Sequence, residues 1–180
     1  MDHYLFLDID GVLNCRNSGT YYDVVKSPEE YVIDEHLWGN LQKFLDKFPN
    51  VKVVIHSGWV KYADDPDYTW NMNCPEKGFV VKTLLPEVIK RLGDRYIGHT
   101  PYLKFKPKHD RIIAWLDQNG FFNRENQSQC LVLDDDTSDY SRIGNLEEYD
   151  GVYVHFTSTA SGLDDMELMN IIEIGEVIFK

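Results

Sequence analysis

The chain has few cysteines and no long apolar run, and each shortage excludes a class of protein. Its three cysteines, Cys15, Cys74 and Cys130, lie far apart, so they form neither a zinc-ligand spacing nor a disulfide framework. We therefore expect a reducing, cytoplasmic environment. No apolar stretch approaches the roughly 20 residues of a membrane span. The first apolar strand begins by residue 4, so we also expect no signal peptide.

Positive charge is also scarce, since 18 lysines and arginines stand against 30 aspartates and glutamates, a net charge of −12. This balance argues against a protein that binds nucleic acid through broad electrostatic attraction. It leaves room for a local basic groove, and the densest basic stretch is residues 82–111. The chain of 180 residues can form a sizeable core, and we expect a single domain over residues 1–180.

Four short apolar runs predict buried parallel strands, at residues 4–7, 51–55, 130–133 and 152–155. Apolar residues at helical spacing predict helices between and after these strands. The predicted helices span residues 34–48, 82–92, 108–119 and 164–178, with a start near Pro86 as the alternative for the second. Because strand and helix patterns alternate, the sequence predicts an α/β fold with a Rossmann-like, doubly wound parallel sheet.

The end of the first strand carries two carboxylates, Asp8 and Asp10, followed directly by Gly11. Side chains alternate along a strand, so both carboxylates begin on the same side, and the glycine permits a sharp turn. Such a pair can hold a hard cation such as Mg²⁺, or divide into a nucleophile and an acid/base. An EF-hand loop is excluded because the twelfth position from Asp8 is Gly19. A plain surface turn is the alternative.

Two further positions offer groups that bind phosphate. Ser57 and Gly58 directly follow the second strand, where a hydroxyl and backbone N–H groups can hold phosphate oxygens, although such a pair is also a common turn. Lys108 begins a predicted helix and can neutralise phosphate charge. The alternative interpretation of Lys108 is a solvent-exposed lysine. Lys104 and Lys106 are close alternatives to Lys108 for the phosphate-binding role.

A second acidic strand end follows the run at residues 130–133, where Asp134, Asp135 and Asp136 stand in a row. Neighbouring carboxylates repel one another unless a cation or hydrogen-bond donors offset their charge. A solvated acidic turn is possible, but the position at the end of a buried strand favours a metal site.

Taken in this order, the four elements resemble the haloacid dehalogenase (HAD) superfamily of phosphohydrolases. The segment from Asp8 to Asn14 looks like its first motif, Ser57 like the second, Lys108 like the third, and the Asp134–Asp135 pair like the fourth. Within the superfamily, the chain is similar to HAD domains associated with phage and bacterial RNA-repair systems.

The resemblance implies a Mg²⁺-dependent phosphatase that works through an aspartyl-phosphate. Asp8 would attack phosphorus, and Asp10 would act as acid and then base. Phosphoryl oxygens would be held by Ser57, Gly58 and Lys108.

The same resemblance implies how the Mg²⁺ would be bound. Its ligands would be Asp8, the backbone carbonyl of Asp10 and Asp135, with Asp134 assisting. The motif leaves open whether Asp134 or Asp135 is the direct ligand.

The substrate is less well defined than the chemistry. His56-Ser57-Gly58-Trp59 replaces a Ser-Ser-Trp-Arg type of sequence, so an arginine that would touch substrate is missing. Neither interval between motifs is long enough for a large cap domain, and an open site suits a nucleic-acid end or a nucleotide. Loop aromatics, including Tyr21, Tyr22, Trp59, Tyr62, Tyr68 and Trp70, could stack on a base. The alternatives are a sugar or other small-molecule phosphatase, and a non-catalytic domain that binds a phosphorylated partner.

Overall fold

The computed structural model describes residues 2–64, 75–103, 106–123, 128–137 and 151–180. In these ranges five parallel strands form one sheet in the order β3-β2-β1-β4-β5. The strands are β1 (His3–Leu7), β2 (Val51–Ile55), β3 (Tyr96–His99), β4 (Cys130–Asp134) and β5 (Val152–Phe156).

Five α-helices accompany the sheet in the described part of the chain. They are α1 (Glu35–Lys47), α2 (Lys61–Asp64), α3 (Pro75–Leu92), α4 (Lys108–Gln118) and α5 (Asp165–Ile178). Short 3₁₀ turns occur at Pro28–Glu30, Gly58–Val60, Gly93–Arg95 and Phe121–Asn123.

Polar residues begin two of these helices as the sequence predicts. Asp34 accepts hydrogen bonds from two backbone N–H groups of the first turn of α1, at 2.8 and 3.1 Å. Asp164 does the same for α5, at 3.0 and 2.9 Å. A capping carboxylate satisfies N–H groups that have no partner within the helix, which fixes where each helix starts.

Two elements differ from the predictions. Strand β3 was not predicted from the sequence. It is short, only partly buried and contains Gly98, so it lacks the continuous apolar run of an inner strand. Helix α3 begins at Pro75, well before the predicted start at Lys82, and continues through Pro86. Burial of Val81, Leu85, Val88 and Leu92 along one face holds the helix together despite the proline.

Alternating strand residues supply two separate cores, one on each face of the sheet. Leu5 and Leu7 point toward the side covered by α1, α3 and α5. Tyr4 and Phe6 point toward the side covered by α4. Helices on both faces of a parallel sheet confirm the doubly wound α/β fold. This arrangement leaves the carboxyl ends of all five strands at one edge.

Every described strand belongs to this sheet, so the described parts of the intervals after Gly11 and after Gly58 add turns and helices rather than a second sheet. This agrees with the prediction of a minimal cap. None of the helices in the described ranges has the length and apolar character needed to cross a membrane.

Candidate active site

The predicted site residues meet at the carboxyl edge of the sheet, around a cavity of about 410 Å³. Asp8 follows β1, Gly58 follows β2, and Asp135 follows β4. Because these strands are neighbours and parallel, residues far apart in sequence are brought to one place. Residues of the cavity wall include Asp8, Asp10, Gly58, Lys108, Asp135 and Thr159.

Lys108, the first residue of α4, reaches into the acidic side of this cavity. Its Nζ donates to Asp8 Oδ2 and lies 3.1 and 3.0 Å from the two carboxylate oxygens of Asp134. Burial alone would lower the pKa of Lys108, but the two carboxylates outweigh it and raise the pKa above its ordinary value. The lysine therefore stays charged at the centre of the site.

The two rival lysines are placed differently. Lys106 is 62% exposed, and its ammonium lies 3.9 Å from Asp110 on the surface. Lys108, by contrast, is only 13% exposed. Lys104 lies outside the described residues.

Three carboxylates gather around Lys108 within reach of a single ion. One oxygen each of Asp8, Asp134 and Asp135 lies within 4.8 Å of the others. Burial and the nearby Asp8 charge raise the pKa of Asp134 above its usual range, although Lys108 opposes the shift. Burial raises the pKa of Asp135 to about 6. Oxygen donors with excess negative charge fit a hard divalent cation such as Mg²⁺.

The two acidic residues after β4 have different surroundings. Asp134 is fully buried and engaged by Lys108 through both oxygens. Asp135 lines the cavity, and its Oδ2 accepts a hydrogen bond of 2.8 Å from Thr159. Of the two, Asp135 is therefore the carboxylate that faces the cavity, while Asp134 holds the lysine.

Gly11 is required by the close approach of two strand ends. Its φ of +77° lies in the left-handed region, and a Cβ built on it would stand 2.0 Å from Asp135 Oδ2. Any larger residue would displace that carboxylate. The buried Thr157 hydroxyl donates to the Gly11 carbonyl at 2.8 Å, which ties the end of β5 to the same turn.

Asp10 is held by three neutral donors rather than by a cation. Tyr31 Oη and Asn14 Nδ2 donate to Oδ1 at 2.7 and 2.8 Å, and Trp59 Nε1 donates to Oδ2 at 2.9 Å. Burial raises the pKa of Asp10, and the three hydrogen bonds oppose that rise only in part. Tyr31 was not predicted as a site residue, and Trp59 was predicted only as a loop aromatic, because no spacing rule links positions 10, 31 and 59.

The turn after β2 presents the second predicted motif. Ser57 is buried, and its Oγ accepts a hydrogen bond of 3.3 Å from Trp59 N. That contact leaves the hydroxyl hydrogen to be donated elsewhere. His56 packs edge-on against Phe6, and its Nδ1 lies 3.1 Å from Thr100 Oγ1. Burial, with Lys108 adding to it, lowers the pKa of His56 well below its ordinary value.

One part of the cavity wall is formed by the loop that follows the first motif. Arg16, Tyr21 and Tyr22 line the cavity here, and we call these three residues the rim. The two tyrosine rings lie 4.4 Å apart, and the Arg16 guanidinium lies 5.6 Å from the Tyr21 ring centre. Arg16 also pairs with Asp23 at 2.6 Å.

Of the other loop aromatics named above, the structure describes two. Tyr62 and Trp59 are buried. Tyr68 and Trp70 lie outside the described residues.

Comparison with known proteins identifies one family. The family model described as "HAD domain in Swiss Army Knife RNA repair proteins" matches residues 4–168. Comparison with curated proteins and comparison with solved structures each found no match.

Proposed function

The chain belongs to the family of HAD domains in Swiss Army Knife RNA repair proteins, and from this premise we propose that it is a Mg²⁺-dependent phosphomonoester hydrolase. Its substrate in this proposal is a terminal phosphate on a nucleic acid or a nucleotide. The observation that carries the proposal is the convergence of Asp8, Asp10, Lys108 and Asp135 on one cavity.

In the first chemical step, a carboxylate oxygen of Asp8 forms a bond to phosphorus and the ester P–O bond breaks. The ammonium of Lys108, in contact with Asp8, offsets the repulsion between this carboxylate and the phosphate dianion. The Ser57 hydroxyl and the backbone after β2 offer hydrogen bonds to the phosphoryl oxygens.

Asp10 handles the protons in both steps. The departing ester oxygen takes a proton from the Asp10 carboxylic acid, which leaves a carboxylate. In the second step, that carboxylate takes a proton from water as the water oxygen bonds to phosphorus. The bond between phosphorus and Asp8 then breaks, and both aspartates return to their starting states. A raised pKa of Asp10 favours the protonated form that the first step needs.

The cation site in this proposal is built from Asp8 and Asp135, with the Asp10 backbone carbonyl as a third ligand. When bound, Mg²⁺ supplies charge stabilisation for the phosphoryl oxygens. Thr159 orients Asp135 through a hydrogen bond of 2.8 Å. Asp134 keeps Lys108 in place beside Asp8.

Support for a nucleic-acid end or nucleotide comes from the rim. The second motif lacks an arginine here, and Arg16 brings a guanidinium to the cavity from another loop. Tyr22 is partly exposed beside Tyr21, which offers a ring face to a base. Cys15 and Cys130 are buried and form no disulfide, which accords with a reducing, cytoplasmic setting.

A phosphate-release assay tests the proposal. The panel contains 3′- and 5′-phosphorylated oligonucleotides, mononucleotides, a sugar phosphate and a phosphopeptide, each with Mg²⁺ and with chelator. We expect Mg²⁺-dependent release that is fastest from nucleic-acid ends or nucleotides. Fastest release from the sugar phosphate or phosphopeptide would contradict the substrate class alone. No release with any divalent metal would contradict a phosphatase and favour a non-catalytic domain that binds a phosphorylated partner.

A further inference from the structure

Tyr31, Trp59 and Asp10 form a closed set of hydrogen bonds. Tyr31 Oη donates to Asp10 Oδ1 at 2.7 Å, and Trp59 Nε1 donates to Asp10 Oδ2 at 2.9 Å. The same indole N–H lies 3.1 Å from Tyr31 Oη. The two rings pack against each other in an edge-on contact, with centres 5.7 Å apart. We call Tyr31 and Trp59 the aromatic clamp.

The clamp fixes the orientation of the Asp10 carboxylate about its last side-chain bond. Rotation of an aspartate carboxylate about its last side-chain bond has a broad energy profile, so packing alone does not define it. Donors on both oxygens, from segments 21 and 49 residues away, define it here. Both donor rings are almost fully buried, and buried donors of this kind hold their direction.

The clamp also distinguishes the two oxygens of Asp10. Oδ1 accepts two hydrogen bonds, from Tyr31 and from Asn14. Among the contacts of the described residues, Oδ2 accepts one, from Trp59. A carboxylate oxygen has room for about two such contacts. Oδ2 is thus the oxygen with room for the transferable proton.

Trp59 connects this arrangement to the phosphate side of the site. Its backbone N–H donates to Ser57 Oγ at 3.3 Å, while its indole N–H holds Asp10. One residue therefore sets the position of the acid relative to the turn that is offered to phosphate.

We propose that Tyr31 and Trp59 are positioning residues, which aim Oδ2 of Asp10 at the ester oxygen that leaves. The inference rests on the proposed function, because it assigns a purpose to the acid of that reaction. Neither side chain needs to touch substrate. In the first step their effect is confined to how well the proton is delivered, so it grows with the need of the leaving group for a proton.

Leaving-group dependence provides the test. The variants Y31F and W59F are assayed on p-nitrophenyl phosphate, whose leaving group needs little protonation, and on glycerol 2-phosphate, whose alkoxide needs a full proton. Misplacing a reacting group by about 1 Å costs on the order of 10²-fold. We compare kcat/KM, which reports the steps up to cleavage of the ester bond and so excludes the second step, where Asp10 acts as base. We expect kcat/KM for the alkyl ester to fall about 10- to 100-fold in each variant, with its KM within about twofold of wild type. We expect kcat/KM for the aryl ester to change little.

Matched controls come from the same residue types elsewhere in the fold. Y96F removes a partly buried hydroxyl that lies 3.2 Å from His99 Nδ1, away from the cavity. W115F alters a buried indole on the other face of the sheet. Both controls should leave the ratio of alkyl to aryl rates unchanged. Equal loss of kcat/KM on both esters in Y31F, or a change for the alkyl ester confined to KM, would overturn the inference.

A crystal structure of Y31F adds a measurement that does not depend on turnover. Without the Tyr31 hydroxyl, we expect the Asp10 carboxylate in more than one orientation. A single, unchanged orientation in the variant would contradict the clamp. Failure of the wild-type protein to hydrolyse either ester would instead overturn the proposed function, and with it the catalytic purpose of the clamp.

Discussion

Asp8 and Asp10 stand two residues apart at the same strand end, yet their surroundings are opposite in kind. Asp8 faces charge, because it contacts the Lys108 ammonium and has Asp134 and Asp135 close by. Asp10 faces neutral donors, a phenol, an amide and an indole.

The difference matches two chemical tasks. A nucleophile that also binds a cation must remain ionised, and a fixed ammonium favours the ionised form. An acid that becomes a base must gain and lose its proton easily. An adjacent ammonium would hold such a group ionised, whereas burial with only neutral donors leaves its pKa raised. The charged side and the neutral side thus suit a nucleophile and an acid/base, respectively.

Replacing Asp8, the proposed nucleophile, should have the largest effect on activity. We expect D8N to reduce turnover of every ester to below about 1% of wild type, because the attacking oxygen is lost. The protein should stay folded, and its metal-free form should gain stability, since one charge leaves a crowded acidic cluster. Steady-state kinetics and thermal unfolding measure the two effects. More than a few per cent residual activity would show that Asp8 is not the nucleophile.

Removing the cation on the charged side should come next. Loss of a buried charge that contacts the phosphoryl group costs roughly 2 to 4 kcal/mol of transition-state stabilisation. We therefore expect K108A to lower kcat/KM by about 30- to 1,000-fold. The exposed lysine variant K106A is the matched control and should change activity little. A large loss in K106A instead would mean that the third motif lies elsewhere.

The rim tests whether the substrate extends beyond its phosphate. Stacking of a base on an aromatic ring contributes about 1 to 3 kcal/mol. In Y22A we expect KM for a phosphorylated oligonucleotide to rise at least about fivefold. KM for glycerol 2-phosphate, which has no ring, should stay the same. Y153F, which changes an exposed tyrosine on β5, serves as control. Equal changes for both substrates would remove the rim from substrate recognition.

The smallest effect concerns His56, a buried titratable group near the Lys108 ammonium. Its pKa is lowered in the folded protein, so below about pH 6.5 the unfolded chain takes up a proton that the folded chain does not. His56 therefore adds to the free energy of unfolding above that pH. This contribution is lost as the pH falls, by up to about 1.4 kcal/mol per pH unit. Denaturant unfolding of H56Q should show a weaker decline between pH 6.5 and 5. An unchanged decline would mean that other groups cause it.

Much of the fold was predictable because four of the five described strands have apolar runs. The strands β1, β2, β4 and β5 were placed to within one residue at each end, although β5 is an edge strand and only partly buried. The other edge strand, β3, was not predicted, since Gly98 interrupts its short sequence and it has no apolar run. The predicted start of α3 was wrong because the local sequence does not show tertiary burial. Burial on the sheet, which local sequence does not reveal, keeps the helix intact around Pro86.

The sequence by itself determined where four of the five described strands end, and with them the candidate positions Asp8, Ser57 and the Asp134–Asp135 pair, as well as Lys108 at the start of a helix. It did so because strand ends and turns are local, and their side-chain periodicity can be counted along the chain. Only the tertiary structure decided which neighbours each of these residues has. It gave Asp8 the ammonium and Asp10 the aromatic clamp. Those partners lie 21 to 100 residues away. Contacts over such separations depend on how helices and loops pack on the sheet, and no local pattern in the sequence encodes that packing.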